Sequence, residues 1–90
     1  MKKAVIILAL ATTAITAHAQ DISQSAGICG AYYYAKNDMY NAKLALQHAE
    51  NRGKMQVAAQ KWIKLAQENP KAAYQEAAYS CAIKLRMNFK

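Results

Sequence analysis

The sequence predicts an all-α protein: a small three-helix up-down-up bundle, stapled by one disulfide after removal of a signal peptide. Three observations predict it. Apolar residues recur at helical spacing through the chain beyond residue 20, and only three Gly and one Pro interrupt the whole sequence. Turn residues and β-branched residues are too few for a sandwich of short strands. Two cysteines, Cys29 and Cys81, stand far apart behind what reads as an export signal.

That signal occupies residues 1–19. Lys2 and Lys3 form a positive start, Ala4 to Ile15 an apolar segment, and Ala17-His18-Ala19 a small-x-small cleavage pattern before Gln20. A spanning helix needs about 20 apolar residues, and Thr12, Thr13, Thr16 and His18 break the run too early. The short layout suits a bacterial Sec-type signal peptide, so the expected localisation is periplasmic or secreted. Residues 20–90 remain as a single helical domain. A domain of that size buries only about 60% of its unfolded surface, which leaves it marginal unless it is stapled. In an oxidising compartment Cys29 and Cys81 supply the staple. A bridge between them closes a loop worth about 4 kcal/mol on the chain-entropy model.

The first helix is expected over about 22–51. Ile28, Tyr32, Ala35, Met39, Ala42, Leu46 and Ala49 step alternately by four and three, a continuous heptad seam. Asp21 or Ser23 can cap its start, and Asn51-Arg52-Gly53 is a stop with Gly near the end. A second helix, about 54–68, carries Met55, Ala58, Ala59, Trp62, Leu65 and Ala66 on one side. Asn69-Pro70 ends it, because the residue before Pro resists the α region. Pro70 then opens a third helix over about 71–88, with Tyr74, Ala77, Ala78, Cys81, Ala82, Leu85 and Phe89 as its main stripe.

Helix lengths tie the bridge to this topology. Were the first two segments one rod, Cys29 would lie about 36 Å from Gly53, while the third helix reaches back only about 28 Å. A turn at 51–54 instead makes the first and third helices parallel, with both cysteines toward the same end. No internal repeat is visible, and the Trp62-to-Pro70 stretch reads as helix-hairpin packing.

Chemistry is sparse. Beyond the signal, His48 is the only histidine, Ser23, Ser25 and Ser80 the only serines, and Asp21, Asp38, Glu50, Glu68 and Glu76 the only acids. None stands in a nucleophile turn, a zinc spacing, a calcium loop or a Gly-rich phosphate cradle. There is no C-x-x-C to suggest redox work. The expectation is therefore a non-enzyme with no cofactor and no metal. Without Lys2 and Lys3, ten basic residues face five acidic ones, a net charge of +5 spread along the chain. Even spreading reads as a solvated surface with weak attraction to the anionic envelope, and nucleic acid is not an expected partner of an exported chain.

Aromatic residues say more. Tyr32, Tyr33 and Tyr34 point in three directions about 100° apart, so they cannot share one core. Lys36 and Lys43 fall between the apolar stripes of the first helix, so their stems must snorkel. On the third helix Tyr79, Ile83 and Met87 step by four, opposite the stripe that contains Cys81. A bundle that buries Cys81 leaves this second stripe outside, as a candidate contact face. The expected function is a binding or accessory protein of the bacterial envelope, acting on an unknown protein partner or as a homo-oligomer. The alternative is a membrane-active cationic protein, toxin- or bacteriocin-like, which the net charge and apolar stripes would suit.

Overall fold

The computed structural model describes residues 21–89; the expected signal peptide lies outside the described residues. Among the described residues the structure is all-helical. Four α-helices follow in order: α1 (Ile22–Ala35), α2 (Met39–Leu46), α3 (Arg52–Glu68) and α4 (Pro70–Ala78), the last running on into a π-helical turn at Tyr79–Lys84.

The helix expected over 22–51 is two helices, and the reason lies in Asn37. It adopts the left-handed conformation, with φ 63°, which Asn tolerates better than most side chains. The Asp38 N–H then donates to the Tyr33 carbonyl at 2.9 Å and the Asn37 N–H to the Tyr34 carbonyl at 3.0 Å. These are the two bonds of a Schellman stop, made around Asn instead of Gly. Asp38 immediately restarts the chain, its carboxylate accepting the Asn41 N–H at 3.1 Å as the cap of α2. One Asn-Asp pair thus ends a helix and begins the next.

With that extra corner the four helices alternate in direction. Ser23 Oγ accepts the N–H groups of Glu50 (3.0 Å) and Asn51 (2.8 Å), which returns the chain to the start of α1. From there α3 runs alongside α1 in the same sense: Lys54 pairs with Asp21, and Trp62 lies beside Tyr32. After the Asn69-Pro70 corner α4 runs the other way, placing Tyr74 by Tyr32 and Cys81 by Cys29. The three-helix up-down-up expectation is therefore corrected to four helices. The disulfide joins an antiparallel pair, α1 and the α4 extension, where a parallel pair was expected. The bridge itself is present, with the two Cα atoms 5.2 Å apart and both side chains fully buried.

Helix α1 is central. From Ser23 to Tyr33 all but Gln24 are buried, on every side of the helix. Small residues make this possible. A Cβ added to Gly27 would collide with the Met55 carbonyl of α3, and one added to Gly30 would lie 2.5 Å from Leu46 Cδ2 of α2. The helix expected to reach residue 88 ends at Lys84. Arg86 turns the chain with φ 56°, and the Met87 N–H returns to the Cys81 carbonyl at 2.8 Å.

Candidate functional site

One end of the bundle is built of rings. The last full turns of α1 bring Tyr32 there, α3 brings Trp62 and α4 brings Tyr74. The corner between α3 and α4 fixes the last two. Asn69 closes α3 by donating its N–H to the Leu65 carbonyl and caps α4 by accepting the Ala72 N–H. Pro70 occupies the first turn of α4, where its missing N–H costs nothing. The tight corner lets the buried Trp62 indole donate to the Ala73 carbonyl at 2.8 Å. Tyr32 is the hub: its ring centroid lies 4.9 Å from Phe89, 5.2 Å from Tyr33, 6.1 Å from Trp62 and 6.2 Å from Tyr74.

Between these rings the helices leave an open cleft of about 240 Å³. Tyr32, Trp62, Tyr74 and Pro70 wall it, three alanines at 35, 66 and 73 line the gaps, and Lys36 is the one charged lining residue among the described residues. Lys36 leans back over α1, its Nζ 5.2 Å from the Tyr32 ring centre and donating to the Tyr32 hydroxyl at 3.3 Å. The stem of Lys36 therefore covers apolar surface while its charge stays at the rim, the snorkelling its place in the sequence required.

The sequence-derived contact residues are not brought onto one helical face. Ile83 is 61% exposed, and Tyr79 is half-buried on the π turn. Met87 lies past the Arg86 turn, half-buried against the core. His48 is exposed and donates through Nδ1 to the Leu44 carbonyl. Asp38 and Asp21 are both consumed as helix caps. The Asp21 carboxyl is held below its ordinary value near 3.8, chiefly by the Gln24 N–H and further by Lys54. Partial burial pushes the Glu76 carboxyl up. Among the described residues no group of three or more His, Cys, Asp or Glu is placed to hold a metal ion, and no helix is long and apolar enough to cross a membrane.

The cleft is the feature sequence reasoning missed. Tyr32, Trp62 and Tyr74 all sit on the apolar stripes read from the sequence, where each looks like ordinary core. The one available signal was Lys36, a cation set between two apolar stripes. No protein-family model, curated protein or solved structure matches the chain.

Proposed function

We propose that the chain is a small exported, non-enzymatic helical protein of the bacterial envelope that acts through protein–protein contact. The observation that carries this is the amount of large apolar surface left to solvent on a disulfide-closed bundle. Tyr34, Tyr40, Tyr74 and Ile83 are each more than half exposed. Exposed Tyr and branched apolar groups in such numbers suit an interface better than an isolated surface. The N-terminal Lys2-Lys3, apolar run and Ala-x-Ala pattern support export, and the Cys29–Cys81 bridge is compatible with an oxidising compartment.

Two measurements test it. Intact mass of the periplasmic or secreted product should correspond to residues 20–90 with the bridge formed. A full-length chain retained in the cytoplasm would remove the exported assignment. Crosslinking in the envelope, with a photoreactive residue at position 83 or 40, should yield one adduct that purified components reproduce. Ile83→Lys or Tyr40→Lys should reduce it at least tenfold. A chain that is monomeric at high concentration and forms no such adduct is not a contact protein.

A specific observation favours a second function. On α3, Lys54, Lys61 and Lys64 share one exposed face with Val57, the pattern of a helix lying on anionic lipid. Vesicles of phosphatidylglycerol and phosphatidylethanolamine should then bind or leak at low salt, and indifference would dismiss this alternative.

A further inference from the structure

We propose that the Cys29–Cys81 bridge is a redox latch: the reduced chain stays open, and the bundle closes only after a thiol oxidant has joined the two cysteines by disulfide exchange. The inference goes beyond the contact function proposed above and does not depend on it.

The core is too thin to close the bundle alone. Among the described residues half of the buried apolar positions are alanine, and Ile28 and Leu85 are the only large aliphatic side chains there. An alanine methyl group removes little apolar area from water. Of the largest fully buried side chains, Tyr33 is followed by Cys29 and Cys81 themselves, and then by Ser25 and Ser80. The sulfurs thus occupy central positions that leucine or phenylalanine fills in an ordinary bundle.

The bridge also joins the two elements least able to form without help. Helix α1 carries Ser23, Ser25, Gly27, Gly30 and three consecutive tyrosines, all poorer helix formers than alanine. It is buried on every side, so its stability comes from neighbours that must already be in place. At the other end of the bridge, Cys81 sits in the π-helical turn Tyr79–Lys84, a rare form, and the left-handed Arg86 follows at φ 56°. A tie across 52 positions of sequence favours the closed form by about a thousandfold on the chain-entropy model. In so thin a core that factor decides between open and closed.

Burial sets the order of events. A thiolate of the chain attacks the oxidant's disulfide, forming a mixed disulfide and releasing one thiol. The second thiolate then attacks the chain's own sulfur, forming the bridge and releasing the oxidant's other thiol. The oxidant is a disulfide compound or protein, which takes up the two electrons and two protons. Both cysteines are 0% exposed in the closed bundle, where neither sulfur has room for the oxidant's half of the mixed disulfide. Exchange therefore happens on the open chain. Closing then shuts reductants out as it shut oxidants out, and the latch sets once.

The test compares the oxidised chain with the same chain held reduced by a phosphine at physiological temperature. Reduction should abolish most of the helical far-UV signal and speed exchange of the slowest α1 amides by about a thousandfold. Oxidised glutathione, added after the phosphine is removed, should restore both in step with the loss of free thiols. The glutathione adduct, trapped with acid, should exchange as an open chain. Dithiothreitol should reduce the oxidised protein no faster than its slowest amides exchange, and urea should accelerate both together. Cys29→Ala with Cys81→Ala should match the reduced chain whether or not glutathione is present.

A reduced wild-type chain that keeps its helical signal and slow α1 exchange overturns the proposal, even if the alanine pair unfolds. So does a bridged chain that regains no protection, or a trapped adduct that is already folded. Rapid opening by dithiothreitol without urea, ahead of amide exchange, also refutes a latch closed to reductants. The adduct sought at position 83 or 40 is measured on the oxidised chain, so the contact function stands or falls separately.

Discussion

Replacing Gly27 by Ala tests how the centre of the bundle is held. In an isolated helix this change would help, since Ala is about 1 kcal/mol better than Gly. Here the added methyl group would collide with the Met55 carbonyl oxygen, and would lie 2.9 Å from the Met55 carbonyl carbon and 3.2 Å from the Ala59 nitrogen. All three are backbone atoms of α3, so no side chain can rotate away and the whole helix must retreat. Overpacking of a core typically costs about 1–3 kcal/mol, and a backbone obstacle belongs at the upper end. After the propensity gain, a net loss of about 2 kcal/mol is expected. For a domain of this size that lowers the thermal midpoint by roughly 8–16 °C. Two other glycines calibrate the measurement. At Gly30 the obstacle is the half-open Leu46 side chain, at 2.5 Å from Cδ2, which can turn aside, so Gly30→Ala should cost less. At the exposed Gly53 only the Asn51 side-chain oxygen is near, at 3.3 Å, and Gly53→Ala should change stability by less than about 1 kcal/mol. Thermal melts of the three oxidised variants should rank Gly27→Ala as the most damaging by a wide margin. An unchanged or raised midpoint for Gly27→Ala would refute backbone-on-backbone packing of α1 against α3.

Three further outcomes can be checked on the same protein. Cys29→Ala with Cys81→Ala should lower unfolding free energy by about 4 kcal/mol in urea, because the lost bridge spans 52 positions of sequence; a loss under about 1 kcal/mol would show the core sufficient without it. Trp62→Phe removes the 2.8 Å indole donor to the Ala73 carbonyl and should cost about 0.5–1.5 kcal/mol, with faster amide exchange in α4 as the local readout. Asp21 has its pKa lowered in the folded chain, so its contribution is full at neutral pH and is lost as the pH falls through that lowered value. Asp21→Asn keeps a capping oxygen but cannot titrate, so the gap in midpoint between wild type and variant should be widest at neutral pH and shrink below about pH 4. Glu76, pushed upward by burial, acts in the opposite sense but equally in both proteins, and so cancels from the comparison.

Much of the fold was legible where local chemistry is strong. Asn69-Pro70 marks the α3–α4 corner in sequence as it does in space, and the bridge was readable from two cysteines behind an export pattern. The break at Asn37 was not, because Lys36 is a good helix former and Asn a weaker stop signal than Gly. The heptad spacing concealed it further: Ala42 continues the register of Ile28 and Tyr32, yet does so from a helix folded back on the first. A helix buried on all sides has no polar face, so its apolar spacing cannot time its end. The richer signal was composition, since Ser, Ala and Gly crowd positions 23–31 where neighbouring backbones approach. The Arg86 turn was equally hidden, as nothing marks a left-handed Arg in advance. It is this turn that takes Met87 off the expected face and carries Phe89 back over Tyr32.

The cleft follows from a gradient of side-chain size along α1. At its first turns Ser23 and Gly27 let α3 come into backbone contact, clasped further by Lys54 on Asp21. One turn and a half later Tyr32 and Trp62 stand between the same two helices, with ring centres 6.1 Å apart. Helices that touch at one end and are propped by rings at the other must diverge, and α4 cannot fill the wedge. It is pinned to α1 by Cys81 on Cys29, short of the open end, and what it offers beyond that point is alanine, proline and the edge of Tyr74. The hollow is therefore a product of packing small against small and large against large along one central helix. Its position beside Lys36 then needs only that α1 stop where it does, and Asn37 stops it there.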